Sequence, residues 1–172
     1  MICFCKFFRI QNFTQMKRRL VRRCGHDCDI VIADGRLAIA GSRDGEFDLI
    51  MLDAFSSNSI PAHLVSREAL QIYQTKLKPN GLILFHVSNL YLDVGKLVAS
   101  VVRDAGLLGL YRSDRDEVME GKSGSDYVLA ARNPEDFGDI VTRYHWVAAD
   151  PGTDIRPWTD DYSNMLPLLK WQ

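Results

Sequence analysis

One run in the middle of the chain limits the choice of fold more than any other segment. Residues 47–52 are largely apolar, Asp53 follows them directly, and the sequence then enters a Ser-, Asn- and Pro-containing segment at residues 56–61. Such a run between turn-forming residues predicts a strand buried on both faces of a parallel sheet. Ligands of these sheets bind just beyond the carboxyl ends of the strands. Asp53 is therefore a candidate functional residue, and a turn or cap residue is the alternative interpretation.

Strand and helix patterns alternate along most of the chain, which predicts a mostly parallel α/β sheet with helices on both faces. Residues 107–111 and 127–131 lack a helical pattern between them, so we expect an antiparallel pair at the C-terminal end of the sheet. The alternating elements are strands at 28–33, 47–52 and 82–88, helices at 13–23 and 36–40, helices capped by Ser66 and Asp93, a turn at 79–81 and a helix end at Gly106.

Composition is typical of one globular domain spanning residues 1–172. The chain is 47% hydrophobic and 25% charged, with a formal net charge of −1. A net charge so close to zero argues against a nucleic-acid-binding protein. The atypical segment 1–24 is basic, which favours a solvated helix face over a phosphate-binding or membrane-surface role. No apolar stretch reaches the roughly 20 residues of a membrane helix and no signal peptide is recognisable, so we expect a cytoplasmic protein without membrane insertion.

The four cysteines all lie within the first 28 residues, at positions 3, 5, 24 and 28. This clustering excludes a disulfide framework distributed through the fold, and reduced thiols are expected. The C-x-C and C-x3-C spacings differ from the usual C-x2-C zinc hook, even with His26 between the second pair. We therefore expect no metal.

Four segments of the chain together resemble a known family. They are Asp-Gly-Arg-Leu-Ala at 34–38, the strand and its continuation at 47–57, Ile-Pro-Ala-His-Leu at 60–64 and Trp-Thr-Asp-Asp-Tyr-Ser-Asn at 158–164. In combination they resemble the bacterial spermidine-synthase-like proteins, a branch of the polyamine aminopropyltransferases. The resemblance covers residues 25–172 and implies a Rossmann-like class I methyltransferase fold and a role in polyamine biosynthesis. The implied reaction transfers an aminopropyl group from decarboxylated S-adenosylmethionine to a polyamine or other amine.

The resemblance also implies roles for particular residues. Asp53 would face the attacking amine, and four residues would contact the adenosyl co-substrate: Asp34, Gly35, Ala54 and Phe55. Family members typically carry a second acid in the loop after this strand, where this chain has the neutral Ser56 and Asn58. Asp160 and Asp161 in the tail are the available substitutes for binding the substrate amine.

Two histidines leave alternatives open. His86, in the strand predicted at 82–88, could face the pocket or be a core histidine, and its apolar neighbours favour the core. His63 is expected to cap the turn that follows Pro61.

The N-terminal part departs from the family pattern, because no G-x-G precedes Asp34. We therefore expect a truncated sheet that lacks the first two strands and the glycine-rich loop, with weak or absent catalysis. The strand edge left open would be covered by the N-terminal segment or by a partner chain, for instance in a homo-oligomer. Two other functions remain open: an S-adenosylmethionine-dependent methyltransferase, and a non-catalytic binding or regulatory remnant of the family.

Overall fold

A computed structural model describes residues 2–5, 7–11, 29–55, 60–115 and 124–170. Eight strands of these residues form one sheet in the order β3-β1-β2-β4-β5-β7-β6-β8. The strands are β1 (Ile2–Cys5), β2 (Phe7–Gln11), β3 (Asp29–Val31), β4 (Phe47–Asp53), β5 (Leu77–His86), β6 (Leu108–Asp114), β7 (Ser125–Ala131) and β8 (Val147–Ala148). The α-helices are α1 (Gly35–Ala40), α2 (Arg67–Lys76), α3 (Val94–Asp104) and α4 (Ile140–Arg143), and 3-10 turns occur at Ala62–Leu64, Pro134–Phe137 and Leu166–Leu168.

The N-terminal segment supplies the strands next to β4. Strand β2 runs parallel to β4, with Ile10 opposite Leu52, and β1 lies antiparallel between β2 and β3. The sequence pattern predicts no strand before residue 28, although a cover by the N-terminal segment is one of the two expected for the open edge. A central strand needs backbone hydrogen-bond partners along both edges, and β2 provides them for β4. The helix predicted at 13–23 lies outside the described residues, as do Cys24, His26 and Cys28.

Strand β4 is buried on one face and only partly covered on the other. Phe47, Ile50 and Leu52 are almost fully buried, whereas Leu49 and Met51 are partly exposed. The prediction of burial on both faces was therefore wrong for this strand. The described helices explain the difference, because α1, α2 and α3 contribute to one large apolar core on one face. A smaller cluster around Phe137 and Trp146 lies on the opposite face and packs against β5, β6 and β7.

Helix starts follow the predicted capping residues. The hydroxyl oxygen of Ser66 accepts a hydrogen bond from the N–H of Ala69 at 3.2 Å, and the carboxylate of Asp93 accepts one from the N–H of Lys96 at 3.3 Å. Gly106 follows the end of α3 with φ +75°, a left-handed conformation that favours glycine. The apolar residues of α3 that recur at three- and four-residue spacing are buried throughout, at Val94, Leu97, Val98, Val101 and Val102.

The predicted turn at residues 79–81 was wrong. Strand β5 continues through it as an irregularity, since Phe47 lies opposite Leu77 while Leu49 lies opposite Leu82. The guanidinium of Arg132 donates hydrogen bonds to the carbonyls of Lys78 at 2.8 Å, Pro79 at 3.0 Å and Gln74. Lys78 and Pro79 lie in the irregular part of β5, whereas Gln74 lies near the end of α2, so Arg132 links the end of the helix to the strand.

The C-terminal half matches its predicted topology. Strands β6 and β7 pair antiparallel, with Tyr111 opposite Val128, and β7 pairs antiparallel with β5. The tail, for which the sequence showed no period, adds the two-residue strand β8 to β6. Trp158 is 1% exposed and lies in the core, as expected of a packing residue. None of the helices in the described part of the chain has the length and apolar character needed to cross a membrane.

Candidate active site at the carboxyl ends of the parallel strands

Asp53 and His86 meet where the two parallel strands β4 and β5 end. Leu52 lies opposite Phe85 in the ladder, so the next residue of each strand falls side by side. The Nδ1 atom of His86 is 2.6 Å from Oδ1 of Asp53. Both side chains are partly buried, with 22% of Asp53 and 28% of His86 exposed. Asp53 therefore lies at the strand end predicted for it, and it contacts His86, for which the sequence favoured a core position over one facing the pocket.

A second carboxylate, Asp34, caps α1 just after β3. Its Oδ1 accepts the N–H of Leu37 at 3.0 Å, and its Oδ2 lies 3.1 Å from Nε2 of His63. The hydrogen bond from Leu37 lowers the pKa of Asp34, and the nearby His63 acts in the same direction. His63 was predicted to cap a turn, but in the structure its side chain contacts Asp34. The segment after β4 therefore lies against the segment after β3. Gly35, the other half of the predicted adenine contact, is buried.

The C-terminal tail folds back onto this region through Asp160. Arg36 donates to both carboxylate oxygens of Asp160, at 2.6 and 2.8 Å, and the hydroxyl of Ser66 donates to Oδ1 at 2.6 Å. These hydrogen bonds lower the pKa of Asp160 to about 2, and the hydrogen bond from Arg36 has the largest effect. Asp160 is thus engaged by a guanidinium, whereas its neighbour Asp161 is exposed.

The remaining predicted residues have different surroundings. Ala54 and Phe55 are each 5% exposed and belong to the main apolar core directly behind Asp53. Ser56 and Asn58 lie outside the described residues. Within those residues, no group of three or more His, Cys, Asp and Glu side chains is arranged to hold a metal ion.

A cavity of about 300 Å³ lies elsewhere, between the start of α3 and strands β6 and β8. None of the predicted site residues lines it. Charged residues that line the cavity already have partners within the protein. Lys96 forms an ion pair with Asp93 at 3.2 Å, and Asp150 accepts a hydrogen bond from the N–H of Gly152 at 2.8 Å. Its lining residues are Asp93, Gly95, Lys96, Tyr111, Val147, Ala148, Ala149 and Asp150.

Sequence reasoning missed both histidine contacts. One signal was present for His86, because the apolar runs of two neighbouring parallel strands each end in a polar residue, and such ends meet at one edge. For His63 the sequence carried no comparable signal. Its partner Asp34 follows a strand three positions away in the sheet, and the contact depends on how the segment after β4 folds.

The chain has an α/β fold with one mixed sheet, and this fold is similar to that of spermidine synthases. A spermidine synthase in complex with the transition state analogue AdoDATO superposes with a TM-score of 0.51 at 18% identity, covering 77% of this chain and 45% of that one. The spermidine synthase of Thermotoga maritima gives 0.49 at 18% identity, covering 84% and 47% respectively. A probable spermidine synthase from Corynebacterium glutamicum gives 0.49 at 14% identity, covering 77% and 54%.

These similarities concern the fold. The chain spans about half the length of the spermidine synthases it superposes on. No family model matches the sequence, and no curated protein matches it either.

Proposed function

We propose that this chain is a spermidine synthase-like aminopropyltransferase. The proposal is carried by one observation: a partly exposed carboxylate, Asp53, ends a parallel strand of a spermidine synthase-like fold, at the edge where such sheets bind ligands. Asp34, at the end of β3, would contact the adenosyl group of decarboxylated S-adenosylmethionine. The acceptor would be a polyamine or another primary amine.

The reaction is a direct displacement. A neutral amine nitrogen attacks the carbon bonded to the sulfonium, a C–N bond forms, the C–S bond breaks, and methylthioadenosine leaves with the electron pair. The nitrogen becomes cationic and then loses a proton. A carboxylate near the nitrogen holds the amine in line and stabilises the charge that develops on it.

The difference in pKa between an amine and an aspartate indicates that Asp53 positions the amine and does not fully deprotonate it. A lysine-like amine with a pKa near 10.4 and an ordinary aspartate with a pKa near 3.9 differ by about 6.5 units, which corresponds to roughly 9 kcal/mol for complete proton transfer. The role of Asp53 is therefore mainly electrostatic, and the released proton passes finally to solvent.

The test compares two aspartates of the same strand. The full chain is incubated with decarboxylated S-adenosylmethionine and putrescine, and chromatography follows spermidine and methylthioadenosine. Asp53→Asn should reduce transfer by at least about 10²-fold, because it removes the charge that stabilises the transition state. Asp48→Asn is the matched control, since Asp48 lies on β4 but pairs with Lys78 at 2.8 Å, and it should keep wild-type turnover.

Three outcomes argue against the proposal. Wild-type protein that produces no methylthioadenosine would refute it. Equal turnover of Asp53→Asn and wild type would remove Asp53 from the mechanism. Formation of S-adenosylhomocysteine from S-adenosylmethionine, with polyamines unchanged, would instead identify a methyltransferase.

A further inference from the structure

The imidazole of His86 makes two contacts, one with Asp53 and one with Tyr127. Its Nδ1 atom lies 2.6 Å from Oδ1 of Asp53, within hydrogen-bond distance of that carboxylate oxygen. Its ring also packs against the ring of Tyr127, on the neighbouring strand β7, with centroids 5.2 Å apart and planes tilted by 32°. The backbone ladder places all three residues, because His86 lies opposite Tyr127 and one residue beyond the pair formed by Phe85 and Leu52.

The other ring nitrogen determines where the proton of the imidazole resides. Nε2 of His86 is buried and has no hydrogen-bond partner among the described residues. A proton on Nε2 would be a buried donor without an acceptor, which is costlier than a bare lone pair on a neutral ring. A proton on Nδ1, in contrast, points at a carboxylate oxygen. Of the two neutral tautomers, the surroundings therefore favour the one that carries its proton on Nδ1.

This tautomer has a consequence for Asp53. A neutral imidazole that donates to Oδ1 fixes the plane of the carboxylate and leaves its full negative charge in place. A cationic imidazole would neutralise the pair and weaken its attraction for an ammonium or for an amine that is becoming cationic. The state of His86 thus decides how much charge the strand edge presents to a bound amine.

We propose that His86 is a positioning residue that orients the Asp53 carboxylate by donating its Nδ1–H to Oδ1. The inference rests on the proposed function for its catalytic consequence, and on the strand-end geometry for the hydrogen bond itself. In this proposal His86 acts on the reaction only through Asp53.

The hydrogen bond can be tested without any activity. In full-length chain labelled with ¹⁵N at histidine, the nitrogen shifts of His86 near neutral pH should show a protonated Nδ1. In Asp53→Ala the acceptor is gone, and in the neutral ring the proton should move to Nε2 in a measurable share of molecules. A wild-type spectrum with a proton on Nε2 and none on Nδ1 would overturn the proposal.

The catalytic consequence is tested with a pair of variants. Asparagine at position 86 can place its amide N–H near the position of Nδ1–H, whereas leucine fills similar space without a donor. His86→Leu should lower kcat by about 10²-fold, the effect of misplacing a catalytic group. It should leave the KM for decarboxylated S-adenosylmethionine within about threefold, because that co-substrate would be bound through Asp34. His86→Asn should restore most of the lost kcat.

The outcomes separate this inference from the proposed function. Equal losses in the leucine and asparagine variants, with melting temperatures matching the wild type, would refute the orienting hydrogen bond. If the leucine variant does not fold, the asparagine variant and the nitrogen shifts still decide. If the wild type transfers no aminopropyl group, the proposed function fails, and the nitrogen shifts alone decide whether His86 orients Asp53.

Discussion

The attachment of the C-terminal tail to α1 and α2 gives a quantitative prediction for stability. Asp160 accepts two hydrogen bonds from Arg36 and one from the hydroxyl of Ser66, all between 2.6 and 2.8 Å. The Arg36 side chain is 16% exposed and that of Asp160 is 42% exposed. The substitution Asp160→Ala removes all three hydrogen bonds and leaves a mostly buried guanidinium without its carboxylate.

The loss of unfolding free energy expected for Asp160→Ala lies between two known limits. Hydrogen bonds to charged groups contribute about 1.5–3 kcal/mol, whereas fully exposed ion pairs contribute about 0.2–1 kcal/mol. Because more than a third of the carboxylate is in contact with solvent, screening reduces the upper figure. We expect Asp160→Ala to lower the free energy of unfolding by about 1.5 kcal/mol, which for a chain of this size lowers Tm by about 3–6 °C.

Urea unfolding followed by tryptophan fluorescence measures this change directly. Trp158 is buried two residues before Asp160 and therefore reports on the attachment of the tail. Asp161→Ala is the matched control, since Asp161 is exposed, and it should change the free energy of unfolding by less than about 0.5 kcal/mol. Equal unfolding free energies for the two alanine variants would refute the assigned role of Asp160.

The pH dependence of the same contribution has a definite sign. The hydrogen bonds from Arg36 and Ser66 lower the pKa of Asp160 to about 2 in the folded chain, below its ordinary value of 3.8. A carboxyl with a lowered folded-state pKa stabilises the fold above its unfolded pKa, and this stabilisation is lost as the pH falls through the folded pKa. The difference between wild type and Asp160→Ala should therefore be constant from about pH 7 to 5 and shrink between about pH 4 and 2. A difference that grows on acidification would contradict this reasoning.

Two further substitutions test the packing around the sheet. In Gly109→Ala the new methyl group would meet the side chains of Val102 and Ala149 at 3.3 and 3.2 Å, so we expect a loss of about 1–2 kcal/mol in urea unfolding. Gly41→Ala, with no atom nearer than 3.6 Å, is the control and should be close to neutral. Arg132→Met removes hydrogen bonds to three backbone carbonyls and should cost about 1–3 kcal/mol, while an unchanged urea midpoint would show that water replaces the guanidinium without loss.

Local chemistry made several elements predictable from the sequence. The caps at Ser66 and Asp93, the left-handed Gly106 and the buried face of α3 depend on residues at most four positions apart in the chain. The antiparallel pairing of β6 with β7 followed from the absence of a helical pattern between them. Asp53 was placed correctly at a strand end because the change from apolar to polar residues is sharp there.

Contacts between distant residues were beyond this kind of reasoning. Asp53 and His86 are 33 positions apart, and Arg36 and Asp160 are 124 apart, so each pair depends on strand register or tail path that no local pattern encodes. Residues 79–81 carry strong turn signals, but β5 continues through them as an irregularity, and its carbonyls there accept hydrogen bonds from Arg132, which is more than 50 positions away. The strands at the N-terminus are too short to show a period.

The insertion of β1 and β2 between β3 and β4 makes the first eleven residues a spacer for the two candidate carboxylates. Asp34 follows β3 and Asp53 ends β4, so three inter-strand steps, roughly 14 Å, separate the strands that carry them. Any change in how β1 and β2 pair would therefore alter the distance between the two acids, although neither strand carries a candidate site residue.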